Sequence, residues 1–348
     1  MPNKRLYYLD MAKGVGIFLV ILGHIEYLDP DIKRWIASFH MPLFFVAGGV
    51  LAYVKEASPV SLGEQWIRRA KGILVPYVSF SVIMLTMRTF EYFVQPERIT
   101  GRELIKELIE SLTGYGLYTL WFLPAYFLSG LLFSLLCRSQ RGRRYGQLRL
   151  GFYIFLLSGF GLLMASVLHV TEYPVTEGTF GWYAVMDILI VFLRALIVQP
   201  FFWLGHLYGK ISSGAEKKSM LCLSGLLFLG MGIFLSGQLP VMDLHYLILS
   251  PLHYGAAAFS CAGLLNLLRA APVSRAVSYL GRNSLIIMCT HTGMFVLYYV
   301  SLGMFFVRKL IPMTDLVLYI SIAAAACVAE LPIIWIFNRY FKYLLGRT

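Results

Sequence analysis

Charge is scarce in this 348-residue sequence: Asp, Glu, Lys and Arg together make 14% of it, against about 25% in ordinary soluble domains. The deficit runs along the whole length, which excludes a soluble domain carried on a single anchor. Stretches 169–184 and 238–246 hold no Lys or Arg. Cysteine is also sparse. Cys137, Cys222, Cys261, Cys289 and Cys327 lack metal-ligand spacing and fall in or at the ends of apolar runs. They read as packing residues, with neither a disulfide framework nor a metal site expected. No basic run interleaved with aromatics and no nucleic-acid motif occurs, so the net charge of +12 does not point to a nucleic-acid partner. No small-x-small cleavage signal follows the first apolar stretch, which is expected to be a retained helix. Low-complexity tracts and clear internal repeats are missing as well, and one membrane domain over 1–348 is the economical division.

What is present is apolar: 58% hydrophobic residues and a mean hydropathy of +0.70. Apolar runs of roughly 17–25 residues recur between short charged segments, each long enough to cross a ~30 Å hydrocarbon core. In lipid every backbone polar group needs a partner, and runs this long and continuous are helices, not barrel strands. The expected fold is all-α, a polytopic membrane helical bundle. About ten transmembrane helices are placed near 9–28, 38–54, 72–94, 119–137, 150–168, 185–209, 219–237, 247–268, 284–304 and 316–338. An even number puts both termini on one side. Twenty Lys and Arg residues fall in the segments sharing the side of the termini and seven in the opposite set, which makes both termini cytoplasmic. Segment 95–118 sets Glu103, Lys106, Glu107 and Glu110 among Leu104, Ile105, Leu108, Ile109 and Leu112 at helical spacing, the pattern of an amphipathic helix on the outer membrane surface.

Several polar groups interrupt these runs. In the first, Asp10, Lys13 and His24 share a segment with Gly14, Gly16 and Gly23. Lys13 and His24 are eleven residues apart, three turns plus about 20°, so they lie on one helix face with about 16 Å of rise between them. Lys13 either snorkels to the cytoplasmic interface or serves a ligand; His24 lies deeper, where an ionisable group usually faces a cavity. His40 precedes Pro42, which is expected in the first turn of the second helix, and stands at a depth comparable with His24. Arg68, Arg69 and Lys71 at the cytoplasmic mouth of the third helix read either as positive-inside anchors or as a grip on an anionic ligand. Trp121 opens the fourth helix within Leu120-Trp121-Phe122-Leu123-Pro124. Asn283 or Ser284 is expected to cap the ninth, with His291 about two turns inside it as a neutral imidazole. Asp187 and Arg194 share a face of the sixth span, and Glu330 sits in the tenth.

Taken in order and spacing, these segments resemble the membrane-bound acyltransferase family 3, most closely its fucose 4-O-acetylase-like sugar O-acetylase branch. The resemblance rests on Lys13-x10-His24 in its Asp10-x-x-Lys13-Gly14 context and on Phe39-His40-Met41-Pro42-Leu43-Phe44-Phe45. It rests also on the basic cluster leading to Pro76-Tyr77, on the Trp121 segment, and on Gly281-x-Asn283-Ser284 with His291 beyond. It implies an O-acetyltransferase of the bacterial plasma (inner) membrane that takes an acyl group from cytoplasmic acetyl-CoA, without a metal, and modifies a hydroxyl of a surface polysaccharide or its precursor. Acyl-CoA, a carbohydrate acceptor and membrane lipid are the implied partners. His24 matches the family's essential histidine and is assigned with His40 to catalysis. Lys13, Arg68, Arg69 and Lys71 are assigned to the CoA phosphates, and Asp10, Trp121, Asn283 and His291 to the substrate. Part of the family writes its third-helix pair Arg-x-x-Arg; which of Arg68 or Arg69 partners Lys71 here stays open. The competing class is a proton-coupled transporter or flippase-like protein using intramembrane His, Asp and Glu as a relay.

Overall fold

In the computed structural model, residues 6–56, 60–95, 97–168, 170, 179–212, 214, 216–240, 247 and 250–347 are described, and among them there is helix and no strand. The α-helices in chain order are α1 (Tyr7–Gly23), α2 (Pro30–Lys55), α3 (Leu62–Val94), α4 (Gly101–Thr113), α5 (Phe122–Gln140), α6 (Gly146–Val167) and α7 (Phe180–Ile197). They continue with α8 (Gln199–Ile211), α9 (Lys218–Gly237), α10 (Pro251–Ala270), α11 (Arg275–Arg282), α12 (Ser284–Thr290), α13 (Val296–Leu310) and α14 (Asp315–Arg339). Among the described residues, part of every expected span is helical, and seven helical stretches are long and apolar enough to cross a membrane. The chain is an all-α polytopic membrane protein.

Three local expectations are corrected. Pro42 does not open the second helix: α2 starts twelve residues earlier at Pro30. There the Asp29 carboxylate accepts from the backbone N–H groups of Asp31 and Ile32, a stronger start signal than a proline alone. The ninth span is interrupted. After α12 the chain turns through residues 291–295, Phe295 takes φ 58°, and α13 begins at Val296. The backbone bridges the break with Met294 N–H to the Thr290 carbonyl, 2.9 Å. His291 is therefore a turn residue and not part of a helical span. Asn283 is the residue that ends α11, not the N-cap of a long ninth helix.

The chain divides into two compact units. One draws on Met1–Ser58, Val198–Met288 and Val296–Leu331, the other on Pro59–Ile197, Cys289–Phe295 and Pro332–Thr348. In the first, α1 packs on α2, α10 and α11, α2 on α8, and α9 on α10. Small residues set these crossings. A Cβ on Gly49 would overlap the Phe202 carbonyl, and one on Gly205 would overlap the Val46 carbonyl, so α2 and α8 meet backbone to backbone. Such close approach is what holds helices together where lipid supplies no hydrophobic drive between them. α9 shows the consequence: Gly225, Gly232 and Ser236 face inward while Leu223, Leu226 and Phe234 are exposed.

In the second unit α3 packs on α4 and α5, α5 on α6 and α7, and α4 on α7. α4 is the amphipathic helix expected between 95 and 118. A capping box fixes its start, with Thr100 accepting from the Glu103 N–H and the Glu103 carboxylate accepting from the Thr100 N–H at 2.7 Å. Gly114 ends it at φ 85°, a left-handed value that glycine adopts without steric penalty.

Candidate active site

In the first unit the polar line of α1 begins with an ion pair. The Lys13 ammonium lies 3.5 Å from the Asp10 carboxylate, one turn away on the same helix. Asp10 is buried and Lys13 half-buried. A lone cation in an apolar span is costly, and this pairing lowers that cost locally. The pair is held under α11, where a Cβ on Gly281 would overlap the Asp10 carbonyl and one on Gly14 would overlap the Val277 carbonyl. Glycine at both positions lets α1 and α11 cross at the level of the pair. Asn283, two residues beyond Gly281, is buried and donates its amide Nδ2–H to the Tyr279 carbonyl, 2.9 Å.

The other end of α1 carries His24. The helix stops at Gly23, so His24 is its C-cap residue and is exposed, with Nδ1 2.7 Å from the Val20 carbonyl oxygen. His40, buried on α2, repeats the arrangement with Nδ1 2.7 Å from the Ile36 carbonyl. A carbonyl oxygen only accepts, so in each ring Nδ1 carries the proton and, in the neutral imidazole, Nε2 carries the basic lone pair. The two helices touch here, Gly23 lying against the Ile36 side chain. The residue before one histidine thus contacts the residue whose carbonyl orients the other.

A third histidine was not singled out by sequence reasoning. His253, in the first turn of α10, accepts the Ser250 N–H at Nδ1, 3.1 Å, so its proton sits on Nε2, which is buried without a partner among the described residues. Its tautomer is the reverse of that of His24 and His40. Seen only in sequence, Ser250-Pro251-Leu252-His253 reads as an ordinary helix start, and nothing in it announces a buried imidazole.

In the second unit the basic cluster of α3 separates into two roles. Arg69 turns inward: its Nη2 donates to the Tyr126 carbonyl at 3.0 Å, its guanidinium lies 4.9 Å from the centre of the Tyr126 ring, and a Cβ on Gly130 would overlap it. Arg68 and Lys71 are exposed, and Arg68 pairs with Glu64 one turn back. Spaced i, i+3, Arg68 and Lys71 share a face. Trp121 is buried at the end of a 3-10 turn, Tyr118–Trp121. The buried guanidinium of Arg194 sits 4.9 Å from the centre of its ring and 4.8 Å from that of Tyr115. Asp187, the other half of the expected α7 pair, accepts from the Thr113 hydroxyl at 3.1 Å. His291 is fully buried in its turn.

The chain is similar to known proteins over much of its length. Two relatives are nodulation protein NolL of Mesorhizobium japonicum, 27% identical over 216 residues, and NolL of Sinorhizobium fredii, 27% identical over 222 residues. The aligned regions take in 58% and 60% of this chain and 50% of each relative, so the chain spans about half the length of the relatives it matches. No solved structure matches. Residues 6–339, nearly the whole chain, match the acyltransferase domain family, and the chain accordingly belongs to the acyltransferase 3 family of acyl-transferring enzymes.

Proposed function

We propose that the chain is an O-acetyltransferase of the bacterial plasma membrane that moves an acetyl group from acetyl-CoA to a hydroxyl of a surface glycan or its precursor. The observation that carries this reading is His24: an accessible imidazole whose Nδ1 is committed to the Val20 carbonyl, so that Nε2 is the base. Nε2 accepts the proton of the acceptor hydroxyl as its oxygen attacks the thioester carbonyl. The C–O bond forms, the C–S bond breaks, and the imidazolium returns its proton to the departing CoA thiolate. General base assistance of this kind contributes about 10²–10⁴-fold. His40, oriented in the same way, is assigned to the same proton path. Arg68 and Lys71, exposed on one face of α3, suit the CoA phosphates, whereas Arg69 is committed to Tyr126 and serves the packing of α3 on α5. Asp10 orients the Lys13 ammonium.

The test uses the purified full chain in detergent with radiolabelled acetyl-CoA and a mixed glycan acceptor. The proposal expects CoA to raise thermal stability and label to pass to the carbohydrate as a base-labile ester. A protein that neither binds CoA nor hydrolyses acetyl-CoA, yet moves solute in vesicles with a proton gradient, would be a transporter and would overturn the reading.

A further inference from the structure

A network of charged side chains forms where α3, α4 and α7 meet in the second unit. Arg88 of α3 grips Glu107 of α4 through Nε, 2.9 and 3.2 Å from its two carboxylate oxygens, and reaches Glu91 through Nη1 at 2.8 Å. Lys106 pairs with Glu110 at 3.5 Å, its ammonium 6.0 Å from the centre of the Tyr183 ring. The Arg102 guanidinium stands 5.6 Å over the Phe180 ring. These groups other than Glu91, with Thr100 and Glu103, line a cavity of about 410 Å³, within the roughly 300–1,000 Å³ range of small-molecule sites.

The walls are fixed before any ligand arrives. The Tyr77 hydroxyl donates to the Ser111 carbonyl at 2.7 Å, tying α4 to α3, and the Thr113 hydroxyl donates to Asp187, tying α4 to α7. Ion pairing between α3 and α4 alone would explain a salt bridge. It does not explain why six charged side chains converge on a space of this size. The cavity sets three basic side chains, Arg88, Arg102 and Lys106, among three acidic ones, Glu103, Glu107 and Glu110, and so keeps little net attraction for an anion such as a CoA phosphate. It offers adjacent charged acceptors and donors, and a hydroxyl can donate to one and accept from the other in charge-assisted hydrogen bonds. Phe180, 38% exposed, adds an apolar face for the C–H groups of a sugar ring.

We infer that this cavity is a binding site for a neutral carbohydrate, the acceptor or a unit of its chain. The assignment rests on the acyltransferase reading above for the word acceptor, but not for the binding itself. Segment 95–118, which forms the α4 wall, belongs to the set that the charge count places on the outer side, where a surface glycan would be met.

The experiment measures binding of methyl β-D-glucopyranoside and methyl α-L-fucopyranoside to the full chain in detergent by saturation-transfer NMR, with glucuronate as the anionic control. CoA binding is followed in parallel by thermal shift. Three variants are compared with the parent: Glu107→Gln, which keeps the shape of the side chain, and Phe180→Ala and Arg102→Ala, whose side chains are exposed. The inference expects at least one neutral glycoside to bind, its Kd to rise about tenfold or more in Glu107→Gln and Phe180→Ala, and CoA affinity to stay unchanged in all three. Glucuronate binding more tightly than both glycosides, glycosides not binding at all, or glycosides binding equally to parent and all variants would each overturn it. Because glycoside binding is read directly, a parent that binds glycoside but not CoA sinks the acyltransferase reading and leaves the site standing.

Discussion

The line of polar groups on α1 and α2 and the network around α4 solve the same problem in opposite ways. On α1 and α2 the Nδ1 of His24 and that of His40 are each held by the carbonyl four residues earlier, and Lys13 pairs with Asp10 one turn away. Around α4, pairs within one helix, Arg88 with Glu91 and Lys106 with Glu110, are joined by links between helices, Arg88 to Glu107 and Thr113 to Asp187. A group satisfied within its own helix keeps its tautomer when neighbouring helices shift, and suits proton transfer. A network closed between helices loses its partners together if one helix moves, and suits a binding wall that must stay in place.

That contrast can be broken most severely at the crossing beneath the ion pair. Gly281→Val would set a side chain into the Asp10 carbonyl; a cost of about 3 kcal/mol or more is expected, with loss of a monodisperse peak in size-exclusion chromatography. Next comes His40→Ala. Acetyl transfer should fall about a hundredfold while CoA-induced stabilisation persists, which labelled-transfer assays and thermal shift read side by side. The basic cluster then gives a paired test. Arg69→Ala removes a hydrogen bond and a ring contact, and should lower stability by about 1–3 kcal/mol. Arg68→Ala should stay within about 0.5 kcal/mol of the parent and instead raise the KM for acetyl-CoA; denaturation and initial-rate measurements separate the two.

How much of this was legible in sequence follows from where each partner lies. Family, all-helical class and the run of apolar spans are visible because they depend on composition and local order. Helical periodicity put Lys13 and His24 on one face, but α1 ends at Gly23 and leaves His24 as its C-cap residue. Arg68 and Arg69 were indistinguishable, because their fates are decided by Tyr126 and Gly130 some sixty positions away. The break after α12 was hidden for a similar reason: Cys289-Thr290-His291-Thr292-Gly293 reads as continuous apolar helix, yet Gly293 approaches the Met84 side chain too closely for a Cβ. Pro42 misled because a proline signals a helix start only when no stronger cap precedes it. The cavity beside α4 was the least legible part, with its walls drawn from residues 88, 100–110 and 180–183.

The smallest expected effect concerns that cavity. Burial lifts the Glu110 carboxyl to about 7, with Lys106 pulling the other way and Asp187 adding to the rise. Glu110 therefore holds its proton more tightly folded than unfolded, and its contribution to stability declines as pH rises from about 4.5 to about 7. Glu110→Gln should flatten that part of the profile by roughly 2–4 °C in apparent Tm, as thermal scans across pH 4.5–8 would show.

The central claim is that the base for acyl transfer is Nε2 of His24. Single-turnover transfer of labelled acetyl from acetyl-CoA to a glycan acceptor by His24→Ala, with CoA affinity measured on the same sample, tests it most directly. The predicted result is a rate reduced about a hundredfold or more at unchanged CoA affinity. A rate within roughly threefold of the parent would contradict it, since a lost general base costs far more.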